Sequence, residues 1–496
     1  MIEHYPVSNK NYIFALIALI FFWAISLLTN QLAFTYFSAF LGTIISFSYL
    51  LKFFNGTLNP FKFLRIASVS LIFTTNLCWI LSGIFVFIYY EIDLFLFLEN
   101  YLNINYESYL EATIFTLIFS VVLFFFSLNE KLILKEKYVF NKLRNAIEID
   151  YKTIHLIIAV IIIIEILLFY YGFIGYRTYA QENFKLGIIS PYVPYIRYIF
   201  HFHIGLIALL IYKNSLIKFN LRNYFLILVS LLLLNLIFFS RGSFEFFFSY
   251  VELTFWYCFF KNGLPKLKTT IISLLIFLPI IYNLLIFNEL LRQPSNPVQD
   301  LENKNLFTRI ENAYEMWKFS SAREITIEKT TLNLTSRFLL AHPLAKSFEL
   351  KSSQKQFLLG QNILNNLIWT IPRAILPQKI NFLVGENLIY EKFGLDFIDT
   401  SNSLYLFSYL DFWYFGLFLY PLLFFFYWKL LLFLITIEDL NPLILIFILS
   451  RSLILFFALA EGGMLQYLVY ARNSAIILVI LIILSKLFFS KSKKIF

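Results

Sequence analysis

Residues 12–51 read YIFALIALIFFWAISLLTNQLAFTYFSAFLGTIISFSYLL and contain no charged side chain. A helix needs about 20 apolar residues to cross the hydrocarbon core of a bilayer. The stretch is therefore long enough for two spans, and only Thr29, Asn30 and Gln31 interrupt it. This pattern predicts a tight helical hairpin, or a re-entrant pair of helices, within a membrane.

The rest of the chain continues in the same way. Of its 496 residues, 60% are hydrophobic and 14% are charged, and the mean hydropathy is +0.75. Because a soluble domain has about 25% charged residues, a single water-soluble globule is excluded. We predict an all-α, polytopic integral membrane protein with about 12 transmembrane helices. The spans are expected at roughly residues 12–29, 31–51, 66–90, 110–128, 153–171, 198–212, 223–240, 244–260, 270–287, 412–435, 442–459 and 473–489.

The basic residues orient these spans. Short cytoplasmic loops of membrane proteins carry an excess of Lys and Arg, so we predict that both termini are cytoplasmic. In that orientation the cytoplasmic segments are rich in lysine, whereas the basic residues of the short outer segments are nearly all arginine. These outer residues are Arg177, Arg197, Arg241, Arg451, Arg472 and the exception Lys185. The net charge of +10 is explained by insertion and anionic headgroups, and nucleic acid is not expected as a partner.

Arginine at the outer membrane boundary indicates recognition of an anion. The planar guanidinium binds phosphate or carboxylate through two parallel hydrogen bonds. Arg241 stands out because Ser240-Arg241-Gly242-Ser243 opens the predicted eighth span, and helix N-termini favour anions. The alternative is an ion pair with Glu245, four residues on. For Arg177 the alternative is anchoring in an aromatic belt.

Arg451 and Arg472 flank Glu461-Gly462-Gly463 near the end of the chain. Each could bind an anion, and the alternative is that each merely extends to the membrane interface. With Arg177, Arg241 and Arg373 they make the predicted set of contacts to an anionic, lipid-linked substrate outside the cytoplasm.

The long segment 288–411 is predicted to be an extracytoplasmic subdomain. It separates an N-terminal membrane region of about nine spans (1–287) from about three C-terminal spans (412–496), which form one membrane domain with the first region. Apolar residues at helical spacing in 332–350 and 357–369 predict short helices on the membrane surface or over a cavity.

Two stretches of this segment carry candidate chemistry. Ile371–Lys379 reads IPRAILPQK, in which prolines fix the backbone around Arg373 and a lysine. Residues 396–416 read DFIDTSNSLYLFSYLDFWYFG and lead polar side chains into the tenth predicted span. Glu386, Asp396 and Asp399 are candidates for a general base toward a sugar hydroxyl, and the alternative for each is a solvated loop carboxylate.

Other chemistry finds little support. The sequence contains no GxxxxGK[ST], GxGxxG or HExxH, so nucleotide hydrolysis, dinucleotide redox chemistry and zincin proteolysis are not indicated. His201 and His203 point about 200° apart on a helix, so a shared metal is not expected and we interpret them as interfacial polar residues. No metal or cofactor is predicted.

The chain resembles the bacterial O-antigen polymerase family, the Wzy-type oligosaccharide repeat-unit polymerases. The resemblance is carried by Ser240-Arg241-Gly242, by Ile371–Lys379 and by the run Ser401–Gly416 into the next span. It implies a metal-independent, inverting glycosyltransferase of GT-C type in the bacterial inner membrane. Undecaprenyl-diphosphate-linked glycans would be donor and acceptor, with the outer arginines on the diphosphate. A chain-length regulator protein is a further partner of the implied system.

Three alternatives stay open. The related O-antigen ligases have a histidine–asparagine pair where this chain has Ser401-Asn402. The missing histidine weakens the hypothesis that the chain is a ligase. A flippase for lipid-linked oligosaccharide, or another transporter, predicts charges within several spans, of which Glu165 and Glu252 are examples here. A metal-dependent GT-C transferase would use Glu91-Ile92-Asp93, for which a solvated acidic loop is the simpler explanation.

Overall fold

The structure is a computed structural model. It describes residues 9–55, 63–170, 193–216, 220–239, 243–261, 306–318, 339–350, 357–372, 375–395, 403–436, 440–457 and 464–489, with isolated helical positions between 283 and 332. These residues form helices and connecting turns and contain no strand. The predicted all-α class is confirmed.

The helices are numbered in chain order. They are α1 (Asn9–Thr29), α2 (Leu32–Asn55), α3 (Phe63–Tyr90), α4 (Leu94–Leu102), α5 (Tyr106–Phe126), α6 (Glu130–Arg144), α7 (Tyr151–Tyr170), α8 (Val193–Asn214), α9 (Leu221–Phe239), α10 (Ser243–Lys261), α11 (Leu306–Lys318), α12 (His342–Phe348), α13 (Gln361–Thr370), α14 (Glu386–Phe393), α15 (Leu404–Phe412), α16 (Gly416–Thr436), α17 (Pro442–Phe457) and α18 (Met464–Phe489). Short 3₁₀ helices are η1 (Asn145–Glu148), η2 (Pro377–Asn381) and η3 (Trp413–Phe415).

Within the described ranges, six helical segments are long and apolar enough to cross a membrane: Asn11–Thr29, Leu32–Leu51, Leu64–Tyr90, Tyr106–Phe126, Tyr151–Leu168 and Leu404–Thr436. The chain is therefore a helical membrane protein. Most of the other predicted spans also coincide with described helices, but 270–287 lies almost wholly outside the described residues.

The chain divides into two compact units. Unit 1 comprises Met1–Asn141, Thr335–Leu440 and Ser452–Phe496. Unit 2 comprises Lys142–Leu334 and Asn441–Arg451. The boundaries predicted at 287/288 and 411/412 stay predictions.

Unit 1 begins with the predicted hairpin. Asn30 reverses the chain between α1 and α2 in a left-handed conformation (φ +50°), which asparagine tolerates better than most residues. The hydroxyls of Ser26 and Ser38 lie 3.0 Å apart across the two helices. The indole N–H of Trp23 donates to Asn76 Oδ1 of α3 at 3.1 Å, which satisfies a polar group in apolar surroundings.

The transition from α15 to α16 is a sharp break. Trp413 has a positive φ of +55° and is the first residue of η3, after which α16 begins at Gly416. A Cβ at Gly416 would lie 1.9 Å from the carbonyl oxygen of Ser408, so no other residue fits there without a backbone shift. The long helix of the predicted tenth span thus begins at Gly416, behind a separate short helix that belongs to the same apolar segment.

The last helix begins earlier than expected, at Met464 and not near residue 473. The span predicted at 473–489 begins one residue after Arg472, which we assigned to an outer segment. In the structure Arg472 and Asn473 both lie within α18, where each is hydrogen-bonded.

α12 begins with a buried histidine, outside the membrane-spanning segments. Burial, and secondarily the positive charge of Lys346, lowers the pKa of His342 to about 3. Its Nε2 atom has no hydrogen-bond partner among the residues that the structure describes. The ring is therefore neutral at physiological pH.

Candidate functional site

Two features singled out by the sequence meet in unit 1. Arg472 of α18 donates from Nη1 to the carbonyl oxygen of Thr370 at 2.8 Å, across 102 residues of sequence. Thr370 is the last residue of α13 and directly precedes the stretch Ile371–Lys379. The structure thus brings one predicted arginine to the start of the predicted basic, proline-bounded segment.

The guanidinium of Arg472 is held in a defined orientation. Its Nε and Nη2 atoms both donate to Oδ1 of Asn473, at 2.9 and 2.7 Å. With the bond to Thr370, three of the five N–H donors of the group are used. All of its acceptors within the described part of the chain are uncharged, so its positive charge is not compensated there.

A second cation reaches the same helix end. Lys379 of η2 donates from Nζ to the carbonyl oxygens of Trp369 (3.0 Å) and Ile371 (2.6 Å). These carbonyls have no partner within α13, and a cation there also complements the helix dipole. The Trp369 indole donates in turn to the carbonyl of Phe382 at 2.6 Å. The stretch after α13 therefore folds back so that its lysine caps the helix.

α13 itself is fixed to the α15–α16 break by a buried polar network. The backbone N–H of Asn362 donates to Asp411 Oδ1 at 3.3 Å, and its side-chain amide donates to the hydroxyl of Tyr420 at 3.0 Å. The Tyr420 hydroxyl donates to the second carboxylate oxygen of Asp411. Asn366 donates to Asn362 Oδ1 at 3.0 Å. Because these groups are almost fully buried, the network sets the position of the helix whose C-terminal end the two cations contact.

The amphipathic pattern of α13 is inverted. Asn362, Asn365 and Asn366 are buried, whereas Leu364 and Leu367 are 58% and 47% exposed. In water the leucines would be buried, so the exposed face is suited to contact with hydrocarbon. The predicted short helix is confirmed, and its position on the membrane surface or over a cavity stays a prediction.

The buried network was not predicted from the sequence. Asp411 is a single carboxylate in the apolar run LYLFSYLDFWYF, and the asparagines of α13 recur at i, i+3 and i+4. These two patterns are the signs of the network that the sequence contains. The contact between Asp411 and the asparagines joins distant parts of the chain, so neither pattern alone predicts it.

The remaining predicted residues are not placed. Arg177, Arg241, Arg373, Asp396 and Asp399 lie outside the described residues.

Two further predicted residues are described only in their backbones. Glu386 begins α14 and Arg451 lies in α17, and their side chains are outside the description. Their roles stay predictions.

Unit 2 contains a second polar cluster among its helices. His203 Nδ1 of α8 lies 2.9 Å from Glu165 Oε2 of α7, and His203 Nε2 lies 2.9 Å from the Ser230 hydroxyl of α9. His201 Nδ1 lies 2.6 Å from Glu252 Oε2 of α10. The interpretation of the histidines as interfacial residues did not anticipate this burial. Their divergence on α8 explains why each meets a carboxylate on a different neighbour.

Neither cluster has the composition of a metal centre. Among the residues that the structure describes, no group of three or more His, Cys, Asp or Glu could hold a metal ion. The chemistry that these residues offer is hydrogen bonding, positive charge and proton exchange. No protein-family model, curated protein or solved structure matches the chain.

Proposed function

We propose that the protein is a membrane glycosyltransferase of the Wzy O-antigen polymerase type. It extends undecaprenyl-diphosphate-linked oligosaccharide repeat units at the outer face of the bacterial inner membrane. In this proposal the fold is GT-C-like, with about twelve spans and cytoplasmic termini. The segment 288–411 lies outside the cytoplasm and contributes to the site.

The observation that carries the proposal is the state of Arg472. It is oriented by Asn473 and Thr370, has two N–H donors left and is not neutralised by a described carboxylate. An oriented guanidinium with two remaining donors matches two oxygens of a phosphate. It lies beside Ile371–Lys379, one of the stretches on which the resemblance rests.

The reaction makes specific demands on such a site. A hydroxyl of the acceptor glycan attacks the anomeric carbon of the donor, the bond from that carbon to the diphosphate breaks, and the hydroxyl proton passes to a base. Negative charge grows on the leaving lipid diphosphate, and oriented cations lower the barrier by stabilising it. Arg241, Arg373, Arg177 and Arg451 are the further contacts proposed for the diphosphate or glycan.

Glu386, Asp396 and Asp399 are the proposed candidates for the base. Each must lie within hydrogen-bond reach of the attacking hydroxyl when substrate is bound. Substituting each by its amide separates them, because only the base is needed for the proton transfer.

A transporter is the second candidate, and the two His–Glu pairs of unit 2 favour it. Buried ionisable side chains in membrane helices often mark a path for ions or substrate. A flippase for lipid-linked oligosaccharide would use such a path, whereas a polymerase does not require it.

Deletion of the gene, with and without its restoration, tests these functions in a strain that makes a lipopolysaccharide ladder. The proposal predicts that the ladder collapses to core carrying a single repeat unit. Bare core with polymer left on the lipid carrier would indicate a ligase. Bare core without outward-facing lipid-linked units would indicate a flippase, and an unchanged ladder would contradict all three for this glycan.

A further inference from the structure

Asn473 of α18 contacts Arg472 through one atom of its side-chain amide. The guanidinium donates to that atom from Nε at 2.9 Å and from Nη2 at 2.7 Å. Because a guanidinium has only donors, the atom that receives both bonds is the amide oxygen. Neighbouring residues of a helix do not normally face each other, so helix geometry alone does not produce this contact. The side chain of Asn473 is therefore placed to fix the guanidinium.

The nitrogen of the same amide is unsatisfied. Asn473 is 0% exposed, and its Nδ2 atom has no hydrogen-bond partner among the residues that the structure describes. A buried N–H group without an acceptor lowers stability. Since Nδ2 and Oδ1 are bonded to the same carbon atom, this unsatisfied donor lies beside the guanidinium. An amide is thus a poor choice for this position if its only task is to stabilise the fold.

An aspartate would be the better partner for stability. A carboxylate accepts the same two N–H groups, has no donor to leave unsatisfied and pairs with the positive charge. A partly buried arginine without a negative partner lowers stability, because its charge is not compensated. The described acceptors of Arg472, which are Asn473 Oδ1 and the Thr370 carbonyl, are both uncharged. Asn473 thus orients the guanidinium and leaves its positive charge for another anion.

We propose that Asn473 is the positioning residue of an anion site at Arg472, and that its uncharged amide keeps this site positive for a polyprenyl diphosphate. The inference rests on the proposed function, which supplies the diphosphate as the ligand. Lys379 donates to the carbonyls on either side of Thr370, so a second positive charge lies at the same helix end. Asn473→Asp would place a permanent carboxylate beside the guanidinium and compete with the ligand.

The test measures the binding of farnesyl diphosphate, a short polyprenyl diphosphate, to the full-length protein in detergent by isothermal titration calorimetry. We expect Asn473→Asp to weaken binding by about 10- to 100-fold, the effect of losing a hydrogen bond to a charged group. Asn473→Ala leaves the charge of Arg472 in place and removes only its orientation, so it should weaken binding less. Asn100→Asp adds the same charge at an exposed position of α4 and should bind like the wild type.

The order of the two Asn473 variants separates positioning from a merely structural role. Aspartate has nearly the shape of asparagine, so a role in packing alone predicts that Asn473→Asp is tolerated better than Asn473→Ala. The charge argument predicts the opposite order for binding. It also predicts that Asn473→Asp melts at the temperature of the wild type or above it, because the carboxylate pairs with Arg472. Loss of binding without loss of stability is therefore the expected result.

A folded Asn473→Asp protein that binds farnesyl diphosphate as tightly as the wild type would overturn the inference. So would a wild-type protein that does not bind it. If Asn473→Asp fails to fold, Asn473→Ala decides the question, and an affinity equal to that of the wild type would overturn the inference. Failure of the proposed function has a different result, because a wild-type protein that binds the diphosphate without joining repeat units contradicts polymerisation and supports the anion site.

Discussion

Replacing Arg472 by lysine keeps the positive charge on α18 and removes the planar set of donors. In the structure Thr370 and Asn473 take three N–H groups of the guanidinium, and two are left. A lysine ammonium has three donors on a single atom, so it cannot hold both protein acceptors and still present two donors to a phosphate. Arg472→Lys therefore separates the need for charge from the need for geometry.

The expected loss follows from the number of donors removed. Loss of one preorganised donor to a developing charge slows a reaction by about 100- to 1,000-fold, or about 3–4 kcal/mol. We expect Arg472→Lys to lower the initial rate of polymerisation by about 100-fold or more, and Arg472→Ala to lower it further. The structural cost is smaller, because a cation at a helix C-terminus contributes about 1 kcal/mol or less at a part-exposed position.

The assay is the initial rate of polymer formation by the purified protein on lipid-linked repeat units, at equal amounts of folded protein. Arg222→Ala is the matched control, because Arg222 is an exposed arginine on the predicted cytoplasmic side. Its rate should match the wild type. An Arg472→Lys rate within about threefold of the wild type, a difference of less than 1 kcal/mol, would refute the assignment of Arg472 to the diphosphate.

Further predictions concern stability in detergent. Tyr420→Phe removes the hydroxyl that joins the buried Asp411 carboxylate to Asn362. It should lower the free energy of unfolding by about 2–4 kcal/mol. The control Tyr414→Phe should change the free energy of unfolding little. Gly416→Ala should destabilise more than Gly394→Ala, because the first places a Cβ 1.9 Å from a backbone oxygen, whereas the second meets no described atom within 4 Å and adds only the strain of a φ of +66°. Equal melting temperatures would contradict this. The pKa of His342 is lowered to about 3 in the folded protein. Below pH 6.5 the unfolded chain therefore binds a proton on His342 that the folded protein does not bind, and stability falls as the pH is lowered. Between pH 6.5 and 5 the loss should reach about 1.6 kcal/mol in denaturant titrations, and His342→Leu should abolish that part of the pH dependence.

Much of the fold could be predicted from the apolar runs. The α1–α2 hairpin turns at Asn30 because three polar residues interrupt 40 uncharged ones, and that is visible in the sequence. The break before Gly416 was not predictable, because it depends on the approach of α16 to the carbonyl of Ser408. The early start of α18 was missed since the polar Arg472 finds its partners only in the folded chain.

The candidate site was predictable in part. The arginine bias and the IPRAILPQK stretch singled out Arg472 and Lys379, but their meeting at the end of α13 is a long-range contact that no local pattern encodes. Asp411 was overlooked because a single acidic residue in an apolar run does not reveal its partner. Glu165 and Glu252 were noted as charges within the spans, but their pairing with His203 and His201 was not predicted.

The central claim is that the protein itself joins lipid-linked repeat units. The most direct measurement incubates purified protein in proteoliposomes with a single lipid-linked repeat unit and a chelator of divalent metal ions, and separates the products by size. The account predicts a ladder of lengthening glycans, with one lipid diphosphate released for each new linkage. Repeat units that stay single in the presence of folded protein would contradict it.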